Sequence, residues 1–202
     1  MGVSPWNDLF MDLHKGIPIF LFKTSREWEE WLQANYDKVS AVWVKFAKKN
    51  SGAVSITYDE ALQVALCYGW IDGLINKFDE KYYLTRFSPR KPQSVWSKTN
   101  RELVERLIKE EKMQESGMRA IAAAKANGRW ESAYDSSTTM QIPKEFLREL
   151  AKDKKAEEFF HSLNRANRYA IGWRLQTAKR PETRAKRMEK ILEMMKKGEK
   201  FH

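Results

Sequence analysis

The sequence predicts an α+β protein, mainly helical, with a small antiparallel sheet of about three strands followed by a small all-α C-terminal module. Three observations carry this. Short β-branched and aromatic runs alternate with helical patterns up to about residue 130. A polar stretch, SAYDSSTTMQ from Ser132 to Gln141, then breaks the pattern. Beyond it, segments with helix-capping signals follow one another and no strand pattern recurs. The predicted domains are therefore 1–135 (α+β) and 136–202 (basic and helical).

Taken in order, Thr24 and Glu27 form a capping box that starts a helix over about 25–34, with Trp28, Trp31 and Leu32 on its apolar face. AVWVKFAKK, from Ala41 to Lys49, reads as a strand ending at the turn signal NSG. A second capping box, Thr57 and Glu60, opens a helix to about Cys67, with Ala61, Leu62, Ala65 and Leu66 packed on the sheet. Two strands, 70–78 and 82–87, form a hairpin around Asp79, Glu80 and Lys81. Ser97 caps a helix running to about Glu111, and Ser116 opens another that Gly128 closes. In the C-terminal module Pro143 sits in a first turn, Asp153 and Asn164 cap, Pro181 starts the last helix and Gly198 ends it. Ala185, Met188, Leu192 and Met195 line the inner face of that last helix.

The formal charge of +10 is uneven. Residues 141–202 hold 17 basic and 9 acidic groups, which leaves +8 in that third of the chain. Such an end suits an acidic protein, a nucleic acid or an anionic surface. Arg165, Arg168, Arg174, Arg180, Arg184 and Arg187 form the candidate surface, with Tyr169 and Trp173 one turn apart beside them. The structural alternative is a solvated helix in which Glu182, Glu189 and Glu193 pair with Lys186 and Lys197. Acidic residues interrupt the apolar runs of the first thirty positions, and no run is long enough to span a bilayer. With a single cysteine, Cys67, this predicts a cytoplasmic protein. His14, His161 and His202 lie far apart, so no metal site is predicted; no nucleophile, phosphate-loop or dinucleotide motif is present, so neither is a cofactor or a catalytic residue.

One stretch raises a chemical question. YGWIDG, residues 68–73, sets Asp72 among large apolar side chains, and the arginine-rich RFSPRKPQSVWSKTN follows it. With a three-residue turn at 79–81, Trp70 opposes Arg90, Asp72 opposes Ser88 and Leu74 opposes Arg86, so that Asp72 lies diagonally between two arginines on one face. A one-residue slip would invert every side chain. The predicted site is thus a ligand pocket of Trp70, Asp72, Arg86, Arg90, Lys91, Trp96, Ser97 and Asn100 that takes an anionic small molecule. The alternative is a structural carboxylate satisfied by neighbouring donors.

The series WVKFAKK, ITYDEALQVALCYGWIDG, RFSPRKPQSVWSKTN and GRWESAY, together with PKEFLREL, HSLNRANRYAIGW and AKRPETRAKRMEKILEMMKKGE, closely resembles the bacterial YdeI or OmpD-associated, bacteriocin-protection family. The resemblance makes Trp70, Asp72, Arg86, Arg90, Ser94, Trp96, Ser97 and Asn100 signature positions, with no reaction attached to them. It implies a link to antimicrobial-peptide resistance and, indirectly, to an outer-membrane porin. With no enzyme motif present, the predicted role is that of a non-enzymatic stress or resistance accessory protein, the alternatives being a nucleic-acid-binding regulator that uses the C-terminal arginines and a small-molecule enzyme or sensor with its pocket at Asp72, Arg86 and Arg90.

Overall fold

The computed structural model describes residues 12–136 and 138–202. They form two compact units, one from residues up to Ser94 together with Leu103–Gly128, the other from Val95–Glu102 with Arg129–His202.

The first unit is built on a mixed sheet of five strands, β1 (Leu13–His14), β2 (Ile17–Phe20), β3 (Val42–Ala47), β4 (Trp70–Lys77) and β5 (Tyr82–Pro89), in the order β1-β2-β3-β5-β4. The class is the predicted α+β, but two strands are added and one pairing is parallel. The β1–β2 link turns through Lys15 and Gly16, both at positive φ (54° and 73°), as a tight two-residue hairpin requires. Between β2 and β3 the chain crosses over through α1 (Ser25–Asn35), which makes those two strands parallel. The α1 prediction holds to within a residue; Thr24 accepts the Glu27 N–H, while the Glu27 carboxylate reaches back to the Lys23 N–H instead of the cap's own.

Helix α2 (Tyr58–Cys67) has the complete capping box, Thr57 Oγ1 accepting from Glu60 N and Glu60 Oε2 from Thr57 N. Together α1 and α2 cover one face of the sheet. Trp28 and Trp31 stack at 5.4 Å, and Trp70 and Phe87 meet Trp28 edge-on at 6.3 and 5.7 Å. Such pairs add about 0.5–1.5 kcal/mol each to the burial of the rings themselves. The four rings are almost wholly buried.

Helix α3 (Lys98–Lys109) begins as predicted, with Ser97 Oγ accepting from Asn100 N at 3.0 Å. Helix α4 (Glu115–Ala126) begins one residue before Ser116, because the Gln114 N–H donates to the Cys67 carbonyl and fixes the entry there. Gly128, at φ 69°, follows its end.

In the second unit the stretch predicted as a linker is held down instead: Tyr134 pairs with Ser97 as a parallel bridge, and Asp135 takes hydrogen bonds from Lys98 and Gln176. The Asp135 carboxylate serves as a tertiary partner, which composition alone does not reveal. Four helices follow, α5 (Lys144–Leu150), α6 (Lys154–Ser162), α7 (Arg165–Gln176) and α8 (Pro181–Lys197). Asp153 and Asn164 cap α6 and α7 as predicted, and Gly198 ends α8 in the left-handed conformation. The core gathers Phe146, Leu150, Phe160, Ile171, Leu175, Ile191 and Met195. On α8, Ile191 and Met195 are buried and Met188 and Leu192 partly so, while Ala185, predicted inward, is exposed.

Candidate functional site

The hairpin decides what Asp72 does. Asp79 Oδ1 accepts from the N–H groups of Lys81 and Tyr82, which sets the predicted three-residue turn, and Ile75, Asn76 and Lys77 oppose Thr85, Leu84 and Tyr83 as expected. Between Asp72 and Ile75 a β-bulge at Gly73 and Leu74 then shifts the register, so that Asp72 opposes Phe87 and Trp70 opposes Pro89. One extra residue inverts the facing of everything beyond it.

Asp72 and Trp70 therefore point with Phe87 toward α1 and α2. Arg86 pairs with Trp43, among Lys45 and Leu84 on the opposite face. The predicted sharing of one face by Asp72 and Arg86 does not occur, and the bulge is the reason. Arg90 docks through its backbone N–H on the Gly69 carbonyl. Lys91 is exposed, and its N–H donates to Ser94 Oγ. Trp96, Ser97 and Asn100 belong to the second unit, where Trp96 packs on Trp130 at 4.9 Å.

What the carboxylate does instead is hold α2. Asp72 Oδ2 accepts from Tyr58 Oη at 2.8 Å, and Tyr58 is the first residue of that helix. Burial, and then the charge of Asp72, push the Tyr58 phenol well above its usual value of 10.0. A phenol whose pKa is raised on folding contributes stability that is intact below pH 10 and is lost as the pH climbs further. Tyr58→Phe should cost about 1.5 kcal/mol at neutral pH, and the gap from the parent should narrow above pH 10; denaturant titrations across pH 7–11.5, roughly the accessible range, check both. Burial likewise pushes the Cys67 thiol up to about 11, so at neutral pH it is not a nucleophile.

Four of the six arginines in the C-terminal candidate surface hold the second unit together. Arg168 donates to the His161 carbonyl, Arg184 to the Leu175 carbonyl and the Glu145 carboxylate, Arg174 Nη1 to the Ala170 carbonyl, and Arg187 Nη1 to the Arg174 carbonyl and Thr177 Oγ1. Arg165 and Arg180 are exposed. The four-residue pairs expected of Glu182, Glu189 and Glu193 do not form among the described residues.

Two of these arginines also line a cleft of about 350 Å³, whose walls are Trp173, Arg174, Arg187, Lys190, Ile191 and Phe201. Arg174 lies 3.9 Å from the centre of the Phe201 ring. Phe201 is held there because Asn167, itself buried, accepts its backbone N–H and that of His202. Burial, and then the charge of Arg187, hold the Arg174 guanidinium below its usual value. Each arginine has one nitrogen fixed on the backbone, which leaves the rest of its fork oriented before any ligand arrives; ordering a free side chain would cost about 0.5–1.5 kcal/mol. No carboxylate lines the cleft among the described residues. The sequence reading placed Arg174 and Arg187 in a cationic surface and missed Lys190 and Phe201. Lys190 follows Arg187 by three positions on α8, and that spacing was the available signal.

A cavity of about 440 Å³ in the first unit, edged by Glu29, Glu60, Glu111 and Lys112 with Cys67, is of opposite character. Among the described residues no group of three or more histidine, cysteine or acidic side chains is placed to hold a metal ion, and no helix is long and apolar enough to cross a membrane.

Comparison with known families divides the chain in two. Residues 20–120, half of its 202 residues, match the family described as a domain of unknown function (DUF8412). Residues 139–198 match the family described as bacteriocin-protection, YdeI or OmpD-associated. No curated protein and no solved structure matches. The first match takes in α1 through α3 and the start of α4, with the Asp72 hairpin, and the second takes in α5 through α8, with every wall of the cleft but Phe201. The chain therefore belongs to the DUF8412 family and carries a YdeI or OmpD-associated, bacteriocin-protection domain in its C-terminal region.

Proposed function

We propose that the chain acts by binding and not by catalysis, as a cytoplasmic accessory protein of the bacteriocin-protection type, and that its C-terminal unit takes an anionic group in the Arg174–Arg187–Lys190 cleft. One observation supports this most: two guanidinium groups and a lysine line one cavity, and among the described residues no acid lines it with them. Such a cluster is relieved by an anion, and arginine forks match phosphate and carboxylate oxygens in pairs.

The cleft accounts for the basic residues better than a surface that tracks a nucleic-acid backbone. Arg168 and Arg184 are tied to carbonyls and a carboxylate within the unit, which breaks the stripe of charge that such tracking needs. An acidic segment of a partner protein would offer the same carboxylate chemistry as a free anion. The Asp72 region, with Arg86 on the opposite face of the sheet, gives less support to the anion pocket predicted there.

The test is calorimetric titration with inorganic phosphate and with citrate at low salt, on the parent chain and on Lys190→Glu. Lys190 is exposed and makes no hydrogen bond or ion pair among the described residues, so its replacement leaves the fold intact. The parent should bind, more weakly as salt is added, and Lys190→Glu should lose about tenfold in affinity, near 1.4 kcal/mol. A parent chain that binds neither anion would overturn the reading.

A further inference from the structure

We infer that the ligand of the C-terminal cleft is a small aromatic anion, a single phosphate or carboxylate group joined to a flat apolar ring. The inference rests on the anion reading above and adds what the other half of the lining requires. Of the six walls, three are cationic and three, Trp173, Ile191 and Phe201, are apolar. A bare inorganic anion would leave that second half solvated and unused. A ring attached to the anion would cover it, and two of the three apolar walls are themselves aromatic, with π faces on which a ring can stack.

The arrangement already present shows how a flat group fits. The Arg174 guanidinium lies over the Phe201 ring, so one cation–π contact exists before a ligand arrives. Size points the same way. About 350 Å³ is at the small end of the range for pockets that enclose small molecules, which suits a ring with one anionic substituent and is far too little for a nucleic-acid duplex. The tail that carries Phe201 is fixed through Asn167 to α7, the helix that also carries Trp173 and Arg174, so the aromatic and cationic walls are held in one frame.

The experiment compares matched pairs on the full chain, phenyl phosphate against inorganic phosphate and benzoate against acetate, by calorimetry at one salt concentration. The aromatic member of each pair should bind about tenfold more tightly. Phe201→Leu keeps the apolar bulk and removes the π face. It should reduce that advantage to roughly threefold or less, the readout being the ratio within each pair, which a change common to both members leaves unmoved. Trp173→Leu is the second variant and should act in the same direction. Equal affinities within each pair would overturn this inference and leave the anion site standing, whereas no binding by any of the four would overturn both. An aromatic advantage that survives both substitutions would place the ring elsewhere and would also overturn it.

Discussion

Gly117→Ala destabilises the first unit by roughly 3 kcal/mol, against the direction that helix propensity gives. Gly117 lies in the first turn of α4, and alanine inside a helix is ordinarily favoured over glycine by about 1 kcal/mol. Here a Cβ would stand 2.2 Å from the Cys67 carbonyl oxygen and 2.9 Å from its carbon. Those are backbone atoms at the end of α2 and cannot rotate away, so the two helices must separate. The neighbouring Gln114–Cys67 hydrogen bond fixes that same contact and would be strained with it. The comparison is Gly128→Ala, where nothing lies within 4 Å and only the left-handed backbone (φ 69°) is strained, at about 1–2 kcal/mol. Thermal melts should show Gly117→Ala falling by about 10 °C, more than Gly128→Ala does. The reverse ranking would mean that α4 does not rest on α2 as described.

Asn167→Ala loosens the second unit by about 2–3 kcal/mol. The side chain is 1% exposed and all of its polar capacity is used. Its oxygen accepts from Phe201 N at 2.9 Å and His202 N at 3.2 Å, and its nitrogen donates to Asn164 Oδ1 at 2.9 Å and to the His202 carbonyl at 3.4 Å. Alanine leaves a void and frees the tail, so Phe201 would leave Arg174. Asn167→Asp is the sharper probe. It keeps the acceptor for the two tail N–H groups but sets a carboxylate oxygen against Asn164 Oδ1, which has been accepting a hydrogen bond. Hydrogen exchange at the Phe201 and His202 amides should rise about tenfold or more in Asn167→Ala, with a lower denaturation midpoint. Unchanged exchange would show that the tail is held by something else.

How far the sequence carried the account depends on the range of each interaction. Thr57 with Glu60, Asp153, Asn164 and Gly198 were legible because a cap involves residues three or four apart, and the chemistry lies within a single turn. The aromatic face of α1 was legible for the same reason. The first hairpin was not read, although its signal, a glycine at position 16 after Lys15, was there; the flanking strands are too short to show a period. The bulge in β4 was not legible at all. It depends on how two strands settle on α2 through Tyr58 and Asp72, and a glycine inside a strand signals a bulge only weakly. That one residue took Arg86 to the other face of the sheet and dissolved the predicted arrangement.

In the C-terminal region the arginines were visible as charge, but their partners were not. The carbonyls that fix Arg184 and Arg187 lie nine and thirteen residues away, and Glu145, which pairs with Arg184, lies thirty-nine away. Charge patterning reports only neighbours within a turn. A cleft assembled from α7, α8 and the tail is a tertiary fact.

The most direct test of the central claim is a phosphate titration followed by nuclear magnetic resonance at the side-chain N–H groups of arginine and the indole N–H of tryptophan. The account predicts that the resonances of Arg174, Arg187 and Trp173 move together, along one saturable curve, while those of Arg165 and Arg180 stay within the small drift that ionic strength causes. Shifts centred on Arg86 or Arg90, or a uniform drift of all arginines without saturation, would contradict it.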